Sequence, residues 1–381
     1  MSAAVRNAHL TPEHELLREQ VRRFVAREVE PHADAWEREG CVPRAVLRRM
    51  GEAGFLGLMY EGAYGGGDAD ALTNLAFADA LADCTYGGFV ITVLVHTDMA
   101  SPHLHHGGNA QQKARWMPGI CRGETITAVA ITEPGAGSDV AGIRTTARRE
   151  GGHYVLDGSK VFITNGVHAE LLFVAARTGP GTRDISIFAV ERGTPGFHVG
   201  RQLDKTGWRC SDTAELHFDG CRVPASHLIG EEHRGFYAVM KNFQTERIAL
   251  AAMAVGHCRQ AIRLALEHAR SRQVFGGPLW DQQTVRQRLA MADAKTRAAE
   301  AYTWHCAWRV AQGHDIMQDV SLLKALTGEL VNEVVATAQQ FHGGMGFMTG
   351  TPVERLWRDA RVLGIGGGAT EVMLDHAAKR Y

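Results

Sequence analysis

Glu246 and Arg247 stand at the head of a stretch, QTERIALAAMAV at 244–255, that turns apolar on every side after them. A carboxylate entering an apolar pocket has its ionised form disfavoured, which tunes it toward work as a general base. Neighbouring residues do not face each other on a helix, so Arg247 does not simply neutralise Glu246. On this string alone a solvent-facing glutamate remains the other reading. Glycine-bearing loops are the second kind of candidate. AITEPGAGSD at 130–139 follows a strand-like run and could offer backbone N–H groups, with the hydroxyls of Thr132 and Ser138, to a pyrophosphate or flavin edge. A plain strand-end loop is its alternative. VFITNG at 161–166 reads as a strand ending in a hairpin turn, with Thr164 able to present a hydroxyl. QFHGGMGF at 340–347 and GIGGGATE at 364–371 permit close backbone approach to a cofactor, or merely a tight helix–helix turn. His103, His105 and His106 lack zinc-site spacing and read as a surface helix end, so no metal is expected. G-x-G-x-x-G, G-x-S-x-G and Walker patterns are absent, which leaves a Rossmann dinucleotide site, serine hydrolysis and P-loop chemistry unsupported.

The elements that must position these residues change texture twice. The chain has 381 residues, enough for two or three domains. From Thr11, a plausible N-cap followed by Pro12, the period is helical, and residues 71–100 are so poor in charge that a helix there should be buried on most sides. Between about 125 and 224 the period falls to two. Short strands are predicted at 127–132, 153–156, 160–163, 171–175, 185–190 and 214–218, separated by glycine-rich turns. Helical spacing then returns and lasts to Tyr381. The expectation is an α+β protein: an N-terminal helical domain (1–123), a middle antiparallel β-barrel domain (124–230) and a C-terminal helical domain (231–381).

Composition narrows the function classes. A formal charge of -1, with no basic block interleaved with aromatics, argues against nucleic-acid binding. Seven cysteines without a C-x-x-C pair point to reduced, buried thiols. The first ten residues show no leader pattern, and no run of eighteen apolar residues suggests a membrane span. A cytoplasmic protein is expected.

Taken together and in order, five segments resemble the acyl-CoA dehydrogenase family over essentially the whole chain. They are ITEPGAGSD (131–139), FITNG (162–166), RQVFG (272–276), QFHGGMG (340–346) and PVERLWRD (352–359). The resemblance implies the same three-domain order, with a four-helix bundle as the C-terminal domain, and FAD bound between the β domain and the C-terminal helices. Carried over position by position, it implies that Val129, Ile131, Thr132, Gly137 and Ser138 contact the flavin. Phe162, Ile163 and Thr164 would lie against its ring, and Phe162 keeps a flat ring where tryptophan is common in the family. Arg272, Phe275 and Gln283, with Gln340, Gly343 and Gly344, would hold the adenosine end across a subunit interface, which implies a homotetramer, or at minimum a dimer. Thr370 and Glu371 would complete the cofactor site.

Most members of that family carry the base in the C-terminal turn, where this chain has Gly367. A minority, of isovaleryl and long-chain type, place it on the earlier helix in a pattern similar to TER at 245–247. The resemblance therefore makes Glu246 the base and Arg247 its companion, with Ser138, Gln244, Arg247 and Gly367 around the substrate. The implied reaction is α,β-dehydrogenation of a saturated acyl-CoA, with electrons passed to an electron-transfer flavoprotein. A carrier-protein thioester as substrate, flavin oxidase or monooxygenase chemistry, and a non-catalytic partner subunit are the alternatives.

Overall fold

The computed structural model describes residues 9–381; residues 1–8, most of the stretch without a leader pattern, lie outside it. Seven helices come first: α1 (Pro12–Glu28), α2 (Ala33–Glu39), α3 (Arg44–Glu52), α4 (Ala71–Leu81), α5 (Gly87–Leu94), α6 (Ser101–Gly107) and α7 (Ala110–Cys121). Thr11 caps α1 as expected, its side chain accepting from the His14 N–H at 3.4 Å. Asp70 caps α4 by accepting from the Thr73 N–H at 2.8 Å. α5 is buried at every position, as its near-absence of charge requires, and runs into a π-helical turn, Val95–Ala100, before α6. Such turns interrupt the regular ladder and cluster at functional sites. His103 is buried on α6 and is not part of a surface helix end; His106 is the exposed member of that trio.

The middle strands are β1 (Thr127–Ala130), β2 (Thr146–Glu150), β3 (His153–Thr164), β4 (Leu171–Arg177), β5 (Ile185–Glu191), β6 (Phe197–Gln202), β7 (Thr213–Pro224) and β8 (Leu228–Ile229). Their order is β6-β7-β3-β2-β4-β5-β8, with β1 beside β4. The sheet is mixed where an antiparallel one was expected. β1 runs parallel to β4, and β2 meets β4 in parallel at Thr146 and Arg177; the other pairs are antiparallel. The reason lies in β4, buried from Leu171 to Ala176 on both faces, a continuous apolar run that suits a strand covered on both sides. The two strands predicted at 153–156 and 160–163 are one strand, bulged near Gly158 and Phe162. At Gly158 φ is +148°, and a Cβ would sit 2.6 Å from Thr145 Oγ1, so only glycine fits that bulge.

The C-terminal part begins with α8 (Gly235–Ser271), 37 residues long. A small hairpin, β9 (Gln273–Val274) and β10 (Gly277–Pro278), leads to α9 (Gln283–Ala311), α10 (Met317–His342), α11 (Pro352–Ala360) and α12 (Thr370–Ala378). α8, α9 and α10 pack on one another and α12 closes against α10, which gives the expected bundle. Among the described residues no helix is long and apolar enough to cross a membrane.

The PVERLWRD string belongs to α11 and ties the parts together. Asp359, fully buried, accepts from the Gly87 N–H at the start of α5 (3.0 Å) and from the Trp208 N–H in the β6–β7 loop (2.6 Å). Arg355 pairs with Asp34, and Arg358 with Glu37, both on α2. Asp359→Ala would leave two buried N–H groups without acceptors, at an expected cost of about 2–4 kcal/mol. A thermal unfolding midpoint equal to that of the parent chain would show that this junction is dispensable.

Candidate active site

Glu246 and Arg247 lie on the fourth turn of α8, from which the helix is buried continuously through Cys258. The Glu246 carboxylate is 9% exposed. It faces the turn between α11 and α12: a Cβ placed on Gly367 would lie 3.6 Å from Glu246 Oε1. Gly367 and Gly368 have φ of +66° and +110°, conformations that side-chain-bearing residues rarely adopt. A Cβ on Gly367 would also meet Leu250 Cδ1 at 2.3 Å, so the space another residue would need at 367 is taken by α8. Burial pushes the Glu246 carboxyl up to about 7, opposed by the cations of Arg247 and Lys324 and reinforced by the carboxylate of Asp98.

Two of these neighbours, Lys324 and Asp98, have no counterpart in the sequence reading. Lys324 is one basic residue in an ordinary-looking amphipathic helix. Asp98 comes from the π-helical turn, which no periodicity announces; its oxygens accept from Asn74 Nδ2 and Thr97 Oγ1, both at 2.6 Å, and burial lifts its carboxyl to about 6. Arg247 reaches from α8 toward α10, with Nη1 3.2 Å from Met317 Sδ and 3.4 Å from Ser321 Oγ, and its guanidinium lies over the Phe243 ring. The Gln244 amide is engaged on α10's approach: it donates to Asp315 Oδ1 and accepts from the Ile316 N–H, both at 3.1 Å. Thr370 is buried and donates to the Gly364 carbonyl (3.4 Å), closing the glycine turn, whereas Glu371 is exposed.

The second group sits at the ends of β1 and β3. Lys160, on β3, donates to the Ile131 carbonyl (2.9 Å) and to Glu133 Oε1 (2.8 Å). Glu133 also accepts from the Arg144 and Thr145 N–H groups at 2.6 and 2.9 Å, so one buried ion pair fixes both ends of the 132–145 loop. Gly137 and Ser138 lie exposed on that loop. Beside it Phe162 is 68% exposed with φ of +61°, an aromatic side chain held outward on strained backbone. Ile163 is buried and Thr164 half-buried. Asn165 is not the tip of a hairpin, because β3 and β4 do not pair; its buried amide donates to the Thr92 and Thr127 carbonyls at 3.0 and 3.2 Å, anchoring the strand end to α5 and β1. Val129 and Ile131 pack against the same buried cluster as Met240 and Phe243 of α8.

The third group is at the far end of the bundle. Arg272, Phe275, Gln283, Gln340, Gly343 and Gly344 are all exposed, and stacking of His268 on His342 (ring centroids 4.4 Å) holds the ends of α8 and α10 together there. Along α8 they lie roughly 39 Å from Glu246, at about 1.5 Å of rise per residue. Phe275 forms the tip of the β9–β10 hairpin, 98% exposed with φ of +49°. Among the described residues no group of three His, Cys, Asp or Glu side chains is placed to hold a metal.

Three family models account for nearly the whole chain: acyl-CoA dehydrogenase N-terminal domain over residues 11–124, middle domain over 128–221 and C-terminal domain over 233–381. The chain belongs to the acyl-CoA dehydrogenase family. It is 37% identical to the mouse mitochondrial long-chain specific acyl-CoA dehydrogenase, across 97% of this chain and 86% of that one. It is 35% identical to an acyl-CoA dehydrogenase of Bacillus subtilis, across 96% of each. The crystal structure of an acyl-CoA dehydrogenase from Geobacillus kaustophilus superposes with a TM-score of 0.95 at 37% identity, covering 98% of this chain and 99% of that one. As an acyl-CoA dehydrogenase the chain is an oxidoreductase, and its cofactor is FAD.

The residues present fit that cofactor. An outward aromatic ring on strained backbone lies beside a pinned loop that bears the exposed Gly137 and Ser138. A flat, partly polar ring system covering Phe162 would remove from water a side chain that the backbone holds there at a cost of about 1–3 kcal/mol.

Proposed function

We propose that the chain dehydrogenates a saturated acyl-CoA to the trans-2-enoyl-CoA, with Glu246 removing the α-proton. The observation that carries this reading is the buried Glu246 carboxylate facing the glycine turn at 367, in a family that carries its base at one or other of those two places. When bound, FAD supplies the acceptor for the hydride that leaves Cβ. Thioester carbonyl polarisation falls to the backbone N–H groups of the turn at Gly367, which has no side chain to obstruct them. Arg247, held by Ser321 and Phe243, contributes fixed positive charge beside the base. Ser138 lines the approach from the β domain, and Gln244 shapes the wall beyond Glu246 through its hold on the start of α10.

Val129, Ile131, Thr132, Gly137, Ser138, Phe162, Ile163 and Thr164 form the flavin face, with Thr370 and Glu371 at its C-terminal border. Arg272, Phe275, Gln283, Gln340, Gly343 and Gly344 lie too far from that face to serve the same cofactor in one subunit. They fit the adenosine end of a cofactor held by a neighbouring copy, so the expected assembly is a homotetramer, or at minimum a dimer. An electron-transfer flavoprotein is the expected electron acceptor outside the chain.

The experiment is anaerobic mixing of the FAD-loaded protein with a panel of saturated acyl-CoAs of graded length and branching. Bleaching of the flavin by one class supports the reading and identifies the substrate. A fully yellow flavin with every acyl-CoA would overturn it in favour of a carrier-bound thioester or oxygen chemistry. The same assay carries a pH prediction. The base works as a carboxylate, so with its pKa raised to about 7 the reduction rate should fall about tenfold per unit below that value and level off above it. A rate independent of pH between about 5 and 9 would contradict this assignment.

A further inference from the structure

Two acids and two bases share the dry space behind the glycine turn. Glu246 feels Arg247 from its own helix, Lys324 from α10 and Asp98 from the π-helical turn. Further out, Glu371 on α12 acts on Lys324, while Arg380 acts on Arg247, near which His376 also lies. Counted as ions, Glu246 and Asp98 balance Arg247 and Lys324.

Lys324 is the unusual member. It is 1% exposed, and its Nζ donates to the carbonyl of Gly368. That carbonyl belongs to the residue beside Gly367, in a segment whose two glycines have few steric limits of their own. A clasp from α10 therefore decides which way the peptide groups at Gly367 and Gly368 point. Burying an ammonium to hold one neutral carbonyl is unfavourable unless a counter-charge lies near. Burial pulls the Lys324 amine down to about 8, Arg247 lowers it further, and the Glu246 and Glu371 carboxylates oppose them. Arg247 cannot take over the clasp, since its Nη1 is directed to Met317 and Ser321.

We propose that Lys324 is a positioning residue of the proton-abstraction step: its ammonium fixes the turn at Gly367 and Gly368 against Glu246 and supplies the charge that keeps the base ionised. The proposal rests on Glu246 being the base. When the α-proton moves to Glu246, negative charge leaves the carboxylate and gathers on the thioester oxygen. A cation already held next to both places needs no rearrangement as that shift occurs.

The test uses Lys324→Met, which removes donor and charge, and Lys324→Gln, which keeps a donor without charge, each loaded with FAD. Anaerobic flavin reduction by an acyl-CoA is followed against pH, together with FAD content and thermal midpoint. Losing a nearby cation raises a carboxyl pKa, so in both variants the acidic limb should move to higher pH by about one unit. The plateau rate should drop about tenfold in the Met variant and less in the Gln variant. A purely structural lysine would lower the thermal midpoint and leave the limb in place, and a limb at the parent pH in both variants overturns the proposal. If the Met variant does not hold FAD, the limb of the Gln variant decides alone. Glu246→Gln is run beside them. If it still reduces its flavin, the base assignment itself fails; if it is inert while the limb of the lysine variants stays fixed, only the role of Lys324 fails.

Discussion

Glu246→Gln should slow flavin reduction by acyl-CoA about 100- to 10,000-fold, the usual range for loss of a general base, while FAD stays bound. The amide matches the carboxylate in size, so the placement of the side chain opposite the turn at Gly367 and the packing of α8 are kept. The buried site then holds a neutral group that cannot accept the α-proton. Removing a desolvated charge should leave folding intact or improve it, because burial already disfavours the ionised form. The measurement is a single-turnover anaerobic trace with the FAD-to-protein ratio read on the same sample. A rate within tenfold of the parent would take the base away from Glu246.

Lys160→Met is the largest expected loss in the β domain. Lys160 and Glu133 form an ion pair at 2.8 Å with both side chains almost wholly out of water. Burial lowers the lysine to about 8. Burial also works to raise the Glu133 carboxyl, but the Lys160 ammonium and the N–H groups of Arg144 and Thr145 hold it below the usual carboxylate range. Removing one partner strands a buried charge, at a cost of about 3–5 kcal/mol. The loop they pin carries Thr132, Gly137 and Ser138, so FAD should be lost along with the thermal midpoint. Lys160→Met combined with Glu133→Leu should recover part of the midpoint, since an apolar pair of similar volume leaves no charge unpaired. A single Met variant with parent midpoint and full FAD would show that the pair holds nothing in place.

The order of helices, strands and helices was legible because periodicity reports burial, and here each domain buries one side of most of its elements. β2 and β6 were not: TARRE and FHVGRQ face water at most positions, and a strand without a buried face carries no alternation to detect. The parallel pairing of β1 was hidden for a different reason. An apolar run such as LLFVAA shows a strand covered on both sides but not by which neighbour. Glu246 was legible only together with Gly367, because a glutamate entering an apolar helix has two fates and the string does not choose between them. Lys324 was illegible, since a lysine in a helix is most often at the surface and only the packing of α10 on the glycine turn buries it. The PVERLWRD string, one of the five segments that carry the resemblance, joins α11 to α2, α5 and the β6–β7 loop, so a motif of the family reported assembly and not chemistry.

The Glu246 carboxylate, the proposed base, rides on a 37-residue helix buried continuously from that residue through Cys258. The turn at 364–368, relieved of any reactive side chain, forms the facing wall, held from behind by Lys324 on α10. The carboxylate and the peptide groups opposite it are therefore set by two separate helices, α8 and α10, so a change that shifts α10 would displace the turn without moving Glu246.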